Sequence, residues 1–133
     1  MRAVNKIILH CSDSDHAHHD NVQTIFRWHV VENGWSDIGY HFVITKGGNG
    51  ALHFCRHVNT QGAHAKGNNE HSIGICITGK YEFSIEQICT AVRLCRFLRF
   101  VYPLTTKDIL GHYEVNEGKT CPNFNMDKFR RQL

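Results

Sequence analysis

The residues best suited to chemistry lie near the end of the chain, in Gly111-His112-Tyr113-Glu114-Val115 and Gly118-Lys119-Thr120-Cys121-Pro122. An imidazole and a thiol stand nine positions apart there, with an amine two residues before the thiol. Neutral imidazole and thiolate are strong protein ligands for zinc. Two ligands do not make a site, and the best third is His10, at the end of the apolar run Ile7-Ile8-Leu9. His10, His112 and Cys121 read together as a zinc centre whose fourth position is open to water. A structural zinc site needs a fourth protein ligand. Strand alternation turns the nearest candidate, Cys11, away from His10. An open position belongs to a catalytic site, where the ion lowers the pKa of bound water to roughly 7. Lys119 is placed to face a developing oxyanion. Tyr40, beside Gly39, could orient the nucleophile or shuttle its proton. A plain surface lysine and a packing tyrosine are the competing readings. There is no Cys-x-x-Cys pair and no His-Glu-x-x-His, so spacing alone leaves the ligand set open.

These side chains need a scaffold, and the apolar pattern supplies one. Lys6 to Ser12 reads as a strand apolar on both faces, hence central and covered on both sides. Asp20, with Gln23 after it, is expected to cap a helix. That helix would bury Val22, Ile25, Phe26, His29 and Val30 at i, i+3, i+4 spacing and end at Gly34. On this reading His29 is a core histidine. Tyr40 to Lys46 and Ala51 to Arg56 form a hairpin through Gly47-Gly48-Asn49-Gly50. Gly62 to Asn69 is a loop. Ser72 to Gly79 is a buried strand whose Gly74 permits close backbone approach. Ser84-Ile85-Glu86-Gln87 is a capping box for a helix reaching about Tyr102, stopped by Pro103. Ile109 to His112 is a short strand, and Met126 to Gln132 a terminal helix. One α/β domain over residues 1–133 follows: a mixed β-sheet flanked by helices.

Composition excludes more than it selects. A chain of 133 residues buries enough surface for a core without staples. Six cysteines could form a disulfide scaffold, but Cys11 and Cys76 lie in strand-like runs, and Cys89 and Cys95 do not face each other on a helix. Reduced thiols and a reducing compartment of synthesis are expected. Eleven histidines favour metal chemistry, although His16, His18 and His19 read as an exposed polar loop. The net charge of +3 suits an anionic partner without naming one. A nucleic-acid-binding domain would need a basic aromatic face, and none is visible. No leader-like segment precedes the first strand, and no apolar run is long enough to span a membrane.

Several stretches, in order, cover the chain from about Lys6 to Phe124. They are Ile8-Leu9-His10-Cys11-Ser12, Arg27-Trp28-His29, Gly34 through Phe42, Gly62-Ala63-His64-Ala65-Lys66-Gly67, Ser72 through Cys76, and His112 through Pro122. Together they resemble the zinc-dependent N-acetylmuramoyl-L-alanine amidases: the amidase-type phage lysozymes and the related peptidoglycan recognition proteins. The resemblance implies one catalytic zinc ion on His10, His112 and Cys121, with Tyr40 and Lys119 as catalytic residues. It implies His64, and with it Asn68, in the wall of a substrate groove. The implied reaction is hydrolysis of the amide between muramic acid and L-alanine in peptidoglycan, by a monomer acting on the cell wall. A recognition module that holds peptidoglycan without cutting it is the alternative; such relatives typically lack the cysteine ligand. Two departures stand out. The stretch from His112 to Cys121 is one residue longer than in the phage enzymes, at Asn116 to Gly118, and the N-terminal arm is shorter.

Overall fold

The computed structural model describes all 133 residues. Five strands form one sheet: β1 (Lys6–Cys11), β2 (Phe42–Ile44), β3 (Leu52–Phe54), β4 (Ser72–Ile77) and β5 (Ile109–Gly111). Their order is β3-β2-β4-β1-β5. β1 is parallel to β4 and β5, β2 is parallel to β4, and β3 pairs antiparallel with β2. The mixed sheet with helices packed on it is therefore found. Strand β1 is central because its apolar run has two faces to bury; Ile7, Ile8 and Leu9 are all fully buried.

The two faces differ in depth. Ile7, Leu9, Ile73, Ile75 and Ile77 join the main core, shared with Ala91, Cys95 and Leu98 of the long helix α2 (Ile85–Val101). Burying an isoleucine side chain contributes about 1.5–3 kcal/mol, so this face carries most of the apolar stabilisation. The capping box of α2 is present, with Ser84 and Gln87 exchanging side-chain-to-backbone bonds. Gln87 also points inward, and its amide donates to the Thr78 carbonyl at 2.9 Å. The opposite face bears a small cluster of Ile25, Ile38, Val43 and Cys76. His10 pairs in register with Cys76. It is on this thinner side that the His10 ring meets Tyr40, at 5.1 Å between centroids.

The first helix departs from expectation. Asn21, not Asp20, caps α1 (Val22–Phe26), its side chain accepting from the Thr24 amide at 2.8 Å. Asp20 instead accepts from the Lys46 and Gly47 amides, both at 2.9 Å, and from the Thr78 hydroxyl at 2.5 Å. It ties the helix start to the hairpin turn and the end of β4. After Phe26 the chain widens into a π-helical stretch, Arg27–Glu32. That change of period breaks the i, i+3, i+4 stripe. Only Ile25 of the expected face is buried; Phe26 is exposed, and His29 and Val30 are half-buried.

The hairpin forms as expected, its turn placing Gly48, Asn49 and Gly50 in the left-handed region. Strand β5 ends at Gly111, and His112 opens a single helical turn, α3 (His112–Val115). The terminal helix α4 spans Met126–Arg130. All six cysteines are free, and no helix is long and apolar enough to cross a membrane.

Candidate metal centre and active site

Residues far apart in sequence converge where β1 and β5 end. His10 is the penultimate residue of β1, and His112 begins α3 directly after its parallel neighbour β5. Cys121 is held beside them by the Tyr113 amide, which donates to its carbonyl at 3.0 Å. One ligand atom from each of His10, His112 and Cys121 lies within 4.8 Å of the other two. Two imidazoles and one thiol at that spacing are a donor set that could hold a divalent metal ion, and no fourth acidic, thiol or imidazole ligand joins the group.

The surrounding polar groups prepare the set. Burial pushes the His10 pKa down, which keeps the ring neutral. The Cys121 thiol is held well below its ordinary value, first by a hydrogen bond from the Cys11 thiol, against the opposing effect of its burial. Cys11 stays outside the ligand group, yet its thiol is engaged by Cys121 and held protonated by it. The His112 Nδ1 lies 3.4 Å from the Cys121 sulfur, while its Nε2 meets the Asn116 side-chain oxygen at 2.9 Å. His10 Nε2 meets His64 Nδ1 at 2.8 Å.

Two adjoining hollows open from the centre. One, of about 400 Å³, is lined by the three ligand residues together with His29, Tyr40 and Lys119. The other, of about 510 Å³, continues past Trp35, His64, Lys66, Asn69, Asn116 and Lys119. Tyr40 and Lys119 thus both stand at the centre, Lys119 exposed and shared by the two hollows. Burial, with the neighbouring thiols, raises the Tyr40 pKa well above its ordinary value. His64 lines both hollows, although it is itself buried. Asn68 lies apart from them: Lys6 donates to its side-chain oxygen at 3.4 Å, and its amide donates to the Lys66 carbonyl. The groove is lined instead by the next residue, Asn69, whose oxygen accepts from the His64 and Ala65 amides, each at 2.9 Å.

His29 is not a core residue. Its Nδ1 accepts from the Gly39 amide at 2.9 Å and its ring lies against Trp35 and Tyr40, at the rim of the metal hollow. Sequence reasoning also missed Trp35, Lys66, Asn69 and Asn116. A tryptophan set between Gly34 and Ser36 was the one available signal. His16 and His18 are exposed and His19 is half-buried; their rings meet tilted or edge-on, with centroids within 5.4 Å, but their nitrogens do not converge as those of the centre do.

Residues 1–124 match the family described as N-acetylmuramoyl-L-alanine amidase. The chain belongs to that family. An endolysin of Escherichia phage T7 is 30% identical over 133 residues, spanning 96% of this chain and 85% of that protein. The amidase LysC from Clostridium intestinale superposes with a TM-score of 0.86 at 30% identity, covering 99% of this chain and 86% of that one. A mutant of the Drosophila protein PGRP-LB, in complex with tracheal cytotoxin, superposes with a TM-score of 0.75 at 28% identity over 92% of this chain and 76% of that one. The chain is thus an amidase acting on peptidoglycan, with the mixed-sheet fold shared by amidases and recognition proteins.

Proposed function

We propose that this amidase cleaves the bond between the lactyl group of N-acetylmuramic acid and L-alanine with one zinc ion held by His10, His112 and Cys121. The observation that carries the reading is the convergence of two imidazoles and a cysteine sulfur within 4.8 Å, beside an open hollow. Bound there, zinc supplies a Lewis acid and water activation near neutral pH. The rest of the work falls to side chains. Lys119 brings an ammonium to the side of the centre where the amide oxygen gains charge, offsetting the softening of the ion by its thiolate ligand. The Tyr40 phenol, protonated at neutral pH, donates a hydrogen bond that orients the nucleophile or passes a proton toward the leaving amine. The larger hollow, with Trp35 on one wall and Lys66 and Asn69 on another, receives the stem peptide. The protein works as one domain, as a monomer, at the cell wall.

Purified cell walls incubated with the zinc-loaded protein should release new L-alanine amino termini, identified by mass spectrometry, and a chelator should stop that release. Wall binding without any new amino terminus, with zinc present, would count for a recognition module instead.

A further inference from the structure

The hydrogen bonds behind the ligands leave one consistent placement of protons. The Ser72 hydroxyl donates to the Asn68 carbonyl at 2.5 Å. Its oxygen, 3.1 Å from His64 Nε2, must therefore accept from that nitrogen. His64 is buried and its ring nitrogens meet only His10 and Ser72, with no carboxylate to balance a charge, so it carries a single ring proton and its Nδ1 has a lone pair. His10 must then carry its proton on Nε2, donating at 2.8 Å, and its Nδ1 is left bare. The second ligand is arranged in the same way. The Asn116 amide nitrogen donates to the Lys66 carbonyl at 2.9 Å. That fixes which end of the side chain is oxygen, and the oxygen accepts from His112 Nε2. His112 Nδ1 is then also bare, facing Cys121.

We propose that His64 and Asn116 are positioning residues of the metal centre. Each takes the Nε2 proton of one ligand imidazole, so that both rings present Nδ1 before any ion arrives. Neutral histidine otherwise divides between two tautomers, and a metal ligand needs the right one. The seat of His64 is built for it: a Cβ on Gly74 would stand 2.5 Å from the His64 ring, so only glycine fits beneath it. Asn116 also ties its own loop across to the 62–69 loop through the Lys66 carbonyl. His64 is thereby more than a groove wall.

The inference rests on the zinc reading above, and the test separates the two. Zinc affinity is measured by competition with a chromophoric chelator for wild type, Asn116→Ala, Asn116→Asp and Ser72→Ala. The tautomers of His10 and His112 are read in the metal-free proteins from long-range ¹⁵N–¹H couplings. Asn116→Ala should weaken zinc binding about 10- to 100-fold and convert His112 from a pure Nε2–H form to a mixture. Asn116→Asp, which keeps the acceptor, should recover most of the affinity. Ser72→Ala, gentler than truncating a core histidine, should free the His64 proton to move and mix the tautomers of His10. Equal zinc affinity and an unchanged His112 tautomer in Asn116→Ala would overturn the role of Asn116; an unchanged His10 in Ser72→Ala would overturn that of His64. Wild type that takes up no zinc would overturn the metal reading itself, and this one with it.

Discussion

At the scale of single residues, Lys119 and Tyr40 share the hollow beside the three candidate ligands but differ in burial, and that difference sets what their substitution should do. Lys119 is exposed, so Lys119→Ala removes a charge without opening a cavity. Removing a group that stabilises an oxyanion costs about 100- to 1,000-fold in kcat. The expected outcome is a loss of that order with zinc content unchanged; a wild-type rate would take Lys119 out of the mechanism. Tyr40 is half-buried and packs its ring against His10 and His29. Tyr40→Phe keeps that packing and deletes only the hydroxyl. Activity on cell walls should fall roughly 100-fold or more if the hydroxyl takes part in proton transfer, while the melting temperature stays close to wild type. Full activity in this variant would return Tyr40 to a packing role.

At the scale of elements, what could be read in the sequence depended on whether the signal was local. The strands β1 and β4 and the long helix α2 announce themselves by period and by the Ser84–Gln87 capping box, and they are where they were expected. The first helix is different, because its period changes midway to π and its polar residues serve distant partners. Asp20 looks like a cap in sequence, but its partners lie 26 to 58 positions away, which no local pattern encodes. The candidate site divides in the same way. The residues that converge, His10, His112 and Cys121 with Tyr40 and Lys119 beside them, were legible through motifs in family order, whereas Asn69, Asn116 and the repositioned His29 follow from loop geometry alone. Asp20 offers a prediction at this scale. Burial pushes its pKa up, but the Thr78 hydroxyl and the two backbone amides outweigh that and hold it below the ordinary value. A depressed folded-state pKa stabilises above the unfolded value, about 3.9, and the contribution is lost as pH falls through the folded value. Asp20→Ala should therefore destabilise by about 2 kcal/mol at pH 7 through the loss of charge-assisted hydrogen bonds. Urea unfolding should show that gap narrowing as pH falls below the unfolded value of about 3.9. A gap independent of pH would mean the carboxylate is not the cause.

At the scale of the whole molecule, the three candidate ligands span the chain. His10 comes from the interior strand β1, His112 from the turn after the edge strand, and Cys121 from a loop beyond it, so an ion on all three would tie both ends of the fold together. The two strands are already parallel neighbours. The segment from His112 to Cys121 is held otherwise by the Glu114–Arg130 ion pair, at 2.7 Å, by the Tyr113 amide on the Cys121 carbonyl and by the Asn116 side-chain amide on the Lys66 carbonyl. The unfolded chain cannot assemble such a set, and binding is therefore linked to folding. With free zinc at 100 times its dissociation constant, linkage adds about 2.7 kcal/mol. Spread over the unfolding entropy of a chain of 133 residues, that raises the melting temperature by about 10 °C. Scanning calorimetry with zinc buffered at that level should show the rise, and excess chelator should abolish it. Cys121→Ser, which replaces the thiolate by a poorer ligand, should melt near the metal-free wild type whether or not zinc is added. A wild-type protein that melts at one temperature with and without zinc would mean that the three side chains, close as they are, do not share an ion.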